Sequence, residues 1–336
     1  AHSGGYYENL QFPVYNIQAI SKNVMLVDHD AESQKPADYN NGIAALSDWP
    51  ETLHAFTGEI SDAFSSELST VYKDKLERYT RTMLYTKRGP LFLFDQVRSV
   101  SPEGHIYNWL FHSRDENGEP SISYEDHRAT VDRPGARLTI DVVSPQLASG
   151  EIHQSRFDES FVKLNSEEGT REANFLAVLY PEAEPAGGRY GARPTTERIT
   201  GGGWTGARVS LGNQVDYGVF RTSGSGSSSV EGFTTDASRF TASFDGSSLV
   251  RYYVEGSSFE GHGQSMSSGS PVTLAVAHHS GGTDAEVDAS GSTRVSFSVQ
   301  SRPSRVTLDG SSVRYSYENG RISLQVPAGR HDIRVR

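Results

Sequence analysis

The chain has no cysteine among its 336 residues, and only three methionines and three tryptophans. Without thiols it forms no disulfide, no thiolate metal site and no cysteine nucleophile. No apolar run approaches the roughly 20 residues that cross a bilayer as a helix. The amino terminus, AHSGGYYENLQFP, lacks a basic region followed by an apolar one, so no signal peptide is expected within it. The expectation is that one has been removed or that the chain starts within a longer protein. A surplus of positive charge is missing as well. With 31 Lys+Arg against 42 Asp+Glu the formal net charge is −11, which removes any global electrostatic reason to bind nucleic acid or an anionic membrane. A polyanionic sugar would need a local basic cluster.

What the chain does have is strand pattern. Short runs of Val, Ile, Leu, Phe, Tyr and Thr alternate with polar residues and stop at Gly, Pro, Asn or Asp. NVMLVD (Asn23–Asp28), PLFLFDQV (Pro90–Val97), HIYNWLFH (His105–His112), RLTIDVV (Arg137–Val143) and NFLAVLY (Asn174–Tyr180) are the clearest early ones. LVRYYVE (Leu249–Glu255), VTLAVA (Val272–Ala277) and RVSFSV (Arg294–Val299) follow. Only Ser61–Tyr72 has helical spacing, through Ala63, Phe64, Leu68 and Val71, and its many Ser and Thr residues argue against a helix. The expected fold is all-β: a large two-sheet antiparallel β-sandwich over residues 1–280, then a small C-terminal β-meander over 281–336. Pro181–Gly203, rich in Pro, Gly and Arg, reads as a loop or linker, and Ser223–Ser229 (SGSGSSS) as a flexible loop. Asp309-Gly310 and Asn319-Gly320 are favourable hairpin dipeptides for the meander.

Several chemistries are excluded by pattern. There is no HExxH spacing and no GxSxG elbow, and the glycines of Gly201–Gly203 precede no helix that could cradle a phosphate. His278 and His279 are neighbours on an expected strand, so their side chains face opposite sides. In HIYNWLFH the alternation puts Tyr107, Trp109 and Phe111 on one face and Asn108, Leu110 and His112 on the other, which suits His112 to a buried, hydrogen-bonded position.

A set of segments in fixed order carries a resemblance. SGGYY (Ser3–Tyr7), FPVY (Phe12–Tyr15), SKNVMLVD (Ser21–Asp28) with Gln34 shortly after, RTMLYTKRGPLFLFDQV (Arg81–Val97), HIYNWLFH, RLTIDVVSP (Arg137–Pro145) and NFLAVLYP (Asn174–Pro181) follow one another. Together they resemble the β-domain of the heparinase II/III-like polysaccharide lyases, over a little more than half the chain. The resemblance implies a secreted or periplasmic protein and β-elimination at a uronic acid of an alginate- or glycosaminoglycan-type polysaccharide. It also implies an α/α-toroid domain ahead of the sandwich, absent here, so the chain alone is expected to be weak or inactive. The alternative reading is a non-catalytic carbohydrate-binding or scaffold module derived from such a lyase.

In β-elimination a group neutralises the uronate carboxylate, a base takes the C5 proton and an acid protonates the leaving oxygen. The resemblance places Tyr7 and His2 as catalytic candidates, and Tyr6, Lys22, Asn23, Gln34 and His112 as substrate-binding ones. An ammonium at Lys22 beside an amide at Asn23 suits a carboxylate. No cofactor is assigned. Some full-length relatives hold a divalent metal (zinc or calcium), but two of the positions implied as ligands are changed here, to His2 and Lys22, and one His makes no site. Arg189, Arg193 and Arg198 read as solvated charge.

Overall fold

The computed structural model describes residues 22–31, 33, 50–72, 75–114, 121–155, 159–185 and 190–336. Among them every regular element is a β-strand except one short 3-10 turn, Ser69–Tyr72, and no helix is long and apolar enough to cross a membrane. All strand pairs are antiparallel, as in the sandwich expected from the sequence.

Contacts divide the chain into two compact units. The first holds residues 64–83 and 92–191 together with the segment up to His54; the second holds 192–336 and two hairpin tips, Ala55–Ala63 and Leu84–Leu91.

The first unit is a two-layer sandwich. Its smaller sheet has the order Met25–Val27, Tyr107–Arg114, Glu159–Asn165, Ser149–Ser155. The larger one runs Glu51–Thr57, Ser61–Glu67, Leu76–Thr86, Leu91–Ser99, Glu172–Ala183, Ala136–Ser144, Arg128–Arg133, Ile122–Glu125. Met25, Val27, Tyr107, Trp109, Phe111, Val162 and Leu164 of the small sheet meet Tyr79, Leu93, Val97, Ile140, Val142 and Phe175 of the large one in a shared core. The alternation read in HIYNWLFH therefore holds. Ser61–Glu67 is a strand and the helical spacing ends in a single 3-10 turn. The small polar side chains that weaken a helix here pair across strands instead, as Ser65 does with Thr82 through their hydroxyls at 3.2 Å.

In the second unit one continuous antiparallel sheet curls over a core that includes Trp204, Phe233, Phe240, Phe259, Leu274, Val287, Phe297 and Ile333. Its first strand, Thr195–Gly201, lies inside the stretch whose composition suggested a loop, and pairs with Trp204–Leu211. Gly201, Gly202 and Gly203 make the connection with φ of 116°, 59° and 81°, so the glycine run is a hairpin turn. Asp309-Gly310 and Asn319-Gly320 form the turns expected of them, each with both residues at positive φ.

The long strands Ser248–Gly261 and Gln264–His279 bend at a register shift between Gly256 and Ser258, which lets their far halves pair with Phe233–Thr235 and Thr293–Ser298. One carboxylate holds the bend: Asp236 Oδ1 accepts the backbone N–H groups of Ser257 and Ser258, both at 2.8 Å. A Cβ on Gly256 would come within 2.7 Å of that oxygen and 2.8 Å of the Ala237 Cα. Asp236→Ala is expected to destabilise the protein by about 2 kcal/mol in urea titration, because two N–H groups lose a charged acceptor. A loss below about 0.5 kcal/mol, within the range of an ordinary surface change, would mean that the carboxylate does not hold the bend.

Candidate functional site

The face of the small sheet turned away from the first unit's core is polar, yet much of it is buried. Register decides its membership. His153, Phe161 and His112 form one row across three strands; Glu151, Lys163 and Leu110 form the next; Ser149, Asn165 and Asn108 form the third. Directly opposed residues share a face. Lys163, Asn165, Asn108 and His153 are all buried, and Phe161 is fully so.

The Asn row locks the sheet. Asn108 Nδ2 donates to Asn165 Oδ1 at 2.7 Å, and Asn165 Nδ2 donates to Ser149 Oγ at 2.8 Å. Asn108 Oδ1 accepts the His29 N–H at 2.8 Å, fixing a tight turn in which Asp28 and His29 have φ of 58° and 59°. Asp28 in turn meets His105 Nδ1 at 2.8 Å.

In the middle row Lys163 Nζ sits 2.8 Å from Glu151 Oε1. Desolvation works against the charge on Glu151, but Lys163 and His153 outweigh it and hold the carboxyl below its ordinary value. His153 Nε2 lies 3.0 Å from the same oxygen without good hydrogen-bond geometry. Burial lowers the His153 pKa against the pull of Glu151, and burial together with Lys163 lowers that of His29. Both imidazoles are thereby biased towards the neutral form.

His112 closes the last row. It is tilted against the Phe161 ring with centroids 4.6 Å apart, and its Nδ1 lies 3.0 Å from Glu159 Oε1. Desolvation lowers its pKa, opposed by Glu159. In the neutral form Nδ1–H donates to Glu159, which leaves the lone pair on Nε2, a buried atom with no hydrogen-bond partner. An imidazole oriented by a carboxylate and unprotonated at its second nitrogen is suited to accept a proton.

Asn23 and Lys22 border this histidine. Asn23 Oδ1 accepts the His112 backbone N–H at 2.6 Å, and Lys22 is close enough to act electrostatically on the imidazole. The Asn23 carbonyl accepts Arg81 Nη1 at 2.7 Å. Arg81 grips Asp95 through two bonds of 2.8 and 2.6 Å, and the Tyr79 hydroxyl joins them at 2.9 Å from Asp95. Desolvation opposes the charge on Arg81, and Asp95 with Tyr79 outweighs it, holding the guanidinium above its usual value.

The structure thus brings Lys22, Asn23 and His112 together. His2, Tyr6, Tyr7 and Gln34 lie outside the described residues. No motif in the sequence marks His29, Glu151, His153, Glu159 or Lys163, although alternation in ESFVKLN and SGEIHQS indicates which residues share a face. Among the described residues no three His, Asp or Glu side chains converge on a metal-sized point.

The fold and this face define an antiparallel all-β sandwich protein with a polar, imidazole-bearing sheet surface. No protein-family model matches the chain, and no curated protein matches it. Solved structures resemble it at low identity. A chondroitin AC lyase of Streptomyces coelicolor A3, solved in complex with chondroitin sulphate, is 10% identical over 93% of this chain and 39% of its own, with a TM-score of 0.47. A heparinase III gives 11% over 73% of this chain and 33% of its own, at 0.44. A heparan sulfate lyase of Pedobacter heparinus gives 12% over 56% and 28%, at 0.39. The chain spans between about a quarter and two fifths of the length of these proteins.

Proposed function

We propose that this chain is the β-sandwich part of a polysaccharide lyase that cleaves uronate-containing polysaccharide by β-elimination. The observation that carries the reading is the juxtaposition of Lys22, Asn23 and the His112–Glu159 pair at one end of the polar sheet face. The ordered segments of the sequence support it independently. In this reading the Lys22 ammonium and Asn23 Nδ2 hold the uronate carboxylate, which acidifies the C5 proton. His112 Nε2 is the described group best suited to move a proton, with Glu159 stabilising the imidazolium that results.

One observation favours the second reading, a non-catalytic carbohydrate-binding or scaffold module. Tyr107, the one tyrosine in the four described strands of the small sheet, faces the core, so these strands offer the polar face no tyrosine hydroxyl for proton transfer.

The test is to incubate the chain with alginate, heparan sulfate, hyaluronan and chondroitin and follow the ultraviolet absorbance of the unsaturated uronate product. Turnover should fall by roughly 100- to 10,000-fold in His112→Gln, the range set by a lost acid–base group. Lys22→Ala should chiefly raise KM. Binding without turnover on any of the four would mean that this chain holds sugar while the cutting residues lie elsewhere, and turnover unchanged in His112→Gln would remove His112 from the chemistry.

A further inference from the structure

The second unit contains a cavity of about 300 Å³ that the lyase reading does not use. It lies at the small end of the range for ligand pockets, about 300–1,000 Å³. Strand register explains why it exists. On the sheet face opposite the core, Arg251, Ala277, Asp284 and Arg334 form one row across four strands, and Tyr253, Ala275, Glu286 and Asp332 form the next. The central strand, Gln264–His279, thus contributes only methyl groups where its neighbours carry Arg251 and Tyr253 on one side and Asp284 and Glu286 on the other. Ala277 lies on the cavity lining, between Arg251 on one side and Asp284 and Glu286 on the other. Two strand spacings separate these walls, roughly 10 Å.

The walls carry different groups: Lys87, Arg88 and Arg251 line one side, and Asp284, Glu286 and Asp332, with Arg334 beside them, line the other. On the basic side Arg251 Nη1 donates to the Lys87 carbonyl at 2.7 Å, anchoring the hairpin tip that carries Arg88. That tip is fixed further by Lys87 N–H bonding to the Ile60 carbonyl at 3.1 Å and by an ion pair between Lys87 and Asp62. Arg88 stands in the left-handed region at φ 69°, where glycine would sit without strain. Burial and the neighbouring Arg88 both press the Arg251 pKa down, only partly offset by Asp216. Two guanidinium groups thus share a partly dry pocket. On the acidic side Asp284 Oδ2 meets His279 at 3.1 Å and Oδ1 meets Arg336 at 2.7 Å. Glu286 Oε1 accepts the Glu59 N–H at 2.6 Å, while its Oε2 is buried with no hydrogen-bond partner.

We propose that this cavity binds one carboxylate-bearing sugar unit, its carboxylate on Arg88 and Arg251 and its hydroxyls donating to Asp284 and Glu286. A guanidinium pair matches a carboxylate in charge and planar geometry, and carboxylate acceptors across the slot match sugar hydroxyls. The choice of an acidic sugar as ligand rests on the proposed function; the cavity and its two walls do not.

The experiment is calorimetric titration of the whole chain with glucuronate and, separately, glucose at equal ionic strength. Wild type should bind glucuronate and prefer it over glucose by at least tenfold. Arg88→Gln should weaken glucuronate at least tenfold, and so should Ala277→Leu, which fills the floor and leaves every charge in place. Thermal melting of each variant confirms that it is folded. No glucuronate binding by wild type, equal affinity for glucose, or folded variants that bind as wild type would each overturn the proposal. Elimination activity that persists when this binding fails leaves the lyase reading standing; binding retained in a chain without elimination activity separates them the other way.

Discussion

Asp95→Ala should destabilise the protein by about 3–5 kcal/mol, the cost of leaving a buried charge without its partner. Asp95 is fully buried and the Arg81 side chain is 15% exposed. Both oxygens of Asp95 accept from Arg81, and Tyr79 donates to one of them. Removing the carboxylate leaves the guanidinium with only the Asn23 carbonyl and the Tyr79 hydroxyl as acceptors and no counter-charge in its pair. Because Arg81 also holds the carbonyl of Asn23, and Asn23 holds the backbone of His112, the damage should spread to the polar face. Replacing both partners, as Arg81→Met with Asp95→Leu, should recover most of the lost stability, since the cost belongs to the unpaired charge. Urea denaturation of the three variants checks this. Equal losses in single and double variants would show that the pair itself, with its packing, carries the stability.

Acidification should weaken the second unit through His278. This side chain is buried, its Nε2 lies 3.1 Å from Gln264 Oε1 and its Nδ1 3.0 Å from Thr283 Oγ1. A neutral ring satisfies both contacts by donating from Nε2 and accepting the Thr283 hydroxyl at Nδ1. Desolvation, helped by His279, lowers its pKa to about 4. The unfolded chain therefore binds this proton more readily than the folded one, and stability must fall as pH falls. The contribution is whole above the unfolded value near 6.5 and is lost between there and about 4, amounting to about 3 kcal/mol. His278→Gln should lower stability at neutral pH and flatten the slope over that window. An unchanged slope would mean that His278 does not titrate with unfolding.

Much of the fold is legible in the sequence, and the reason is period. In HIYNWLFH the two-residue repeat separates Tyr107, Trp109 and Phe111, which enter the core, from Asn108, Leu110 and His112, which do not. The two Asx-Gly hairpins are legible because their turns need positive φ at both residues. Composition was less informative over Pro181–Gly203. Proline and glycine there mark ends and turns, while the strands between them pair with neighbours that local composition does not reveal.

The candidate site was legible only in part. Lys22, Asn23 and His112 came from ordered segments, and the structure brings them together. Lys163, Glu151 and His153 depend on the pairing of Ser149–Ser155 with Glu159–Asn165 and of that strand with Tyr107–Arg114. A shift of one residue would send these side chains to the other face. No local pattern fixes a register between strands some 50 residues apart, so a row such as His153–Phe161–His112 becomes visible only once the sheet is assembled.

The proposed function requires acidic polysaccharide to be held on the polar face of the small sheet. Hydrogen–deuterium exchange of the whole chain, with and without the polysaccharide it turns over or binds, tests this most directly. Exchange is expected to slow at residues 22–30, 107–114, 149–155 and 159–165. Protection confined to other segments, or none with any of the four polysaccharides, would contradict it.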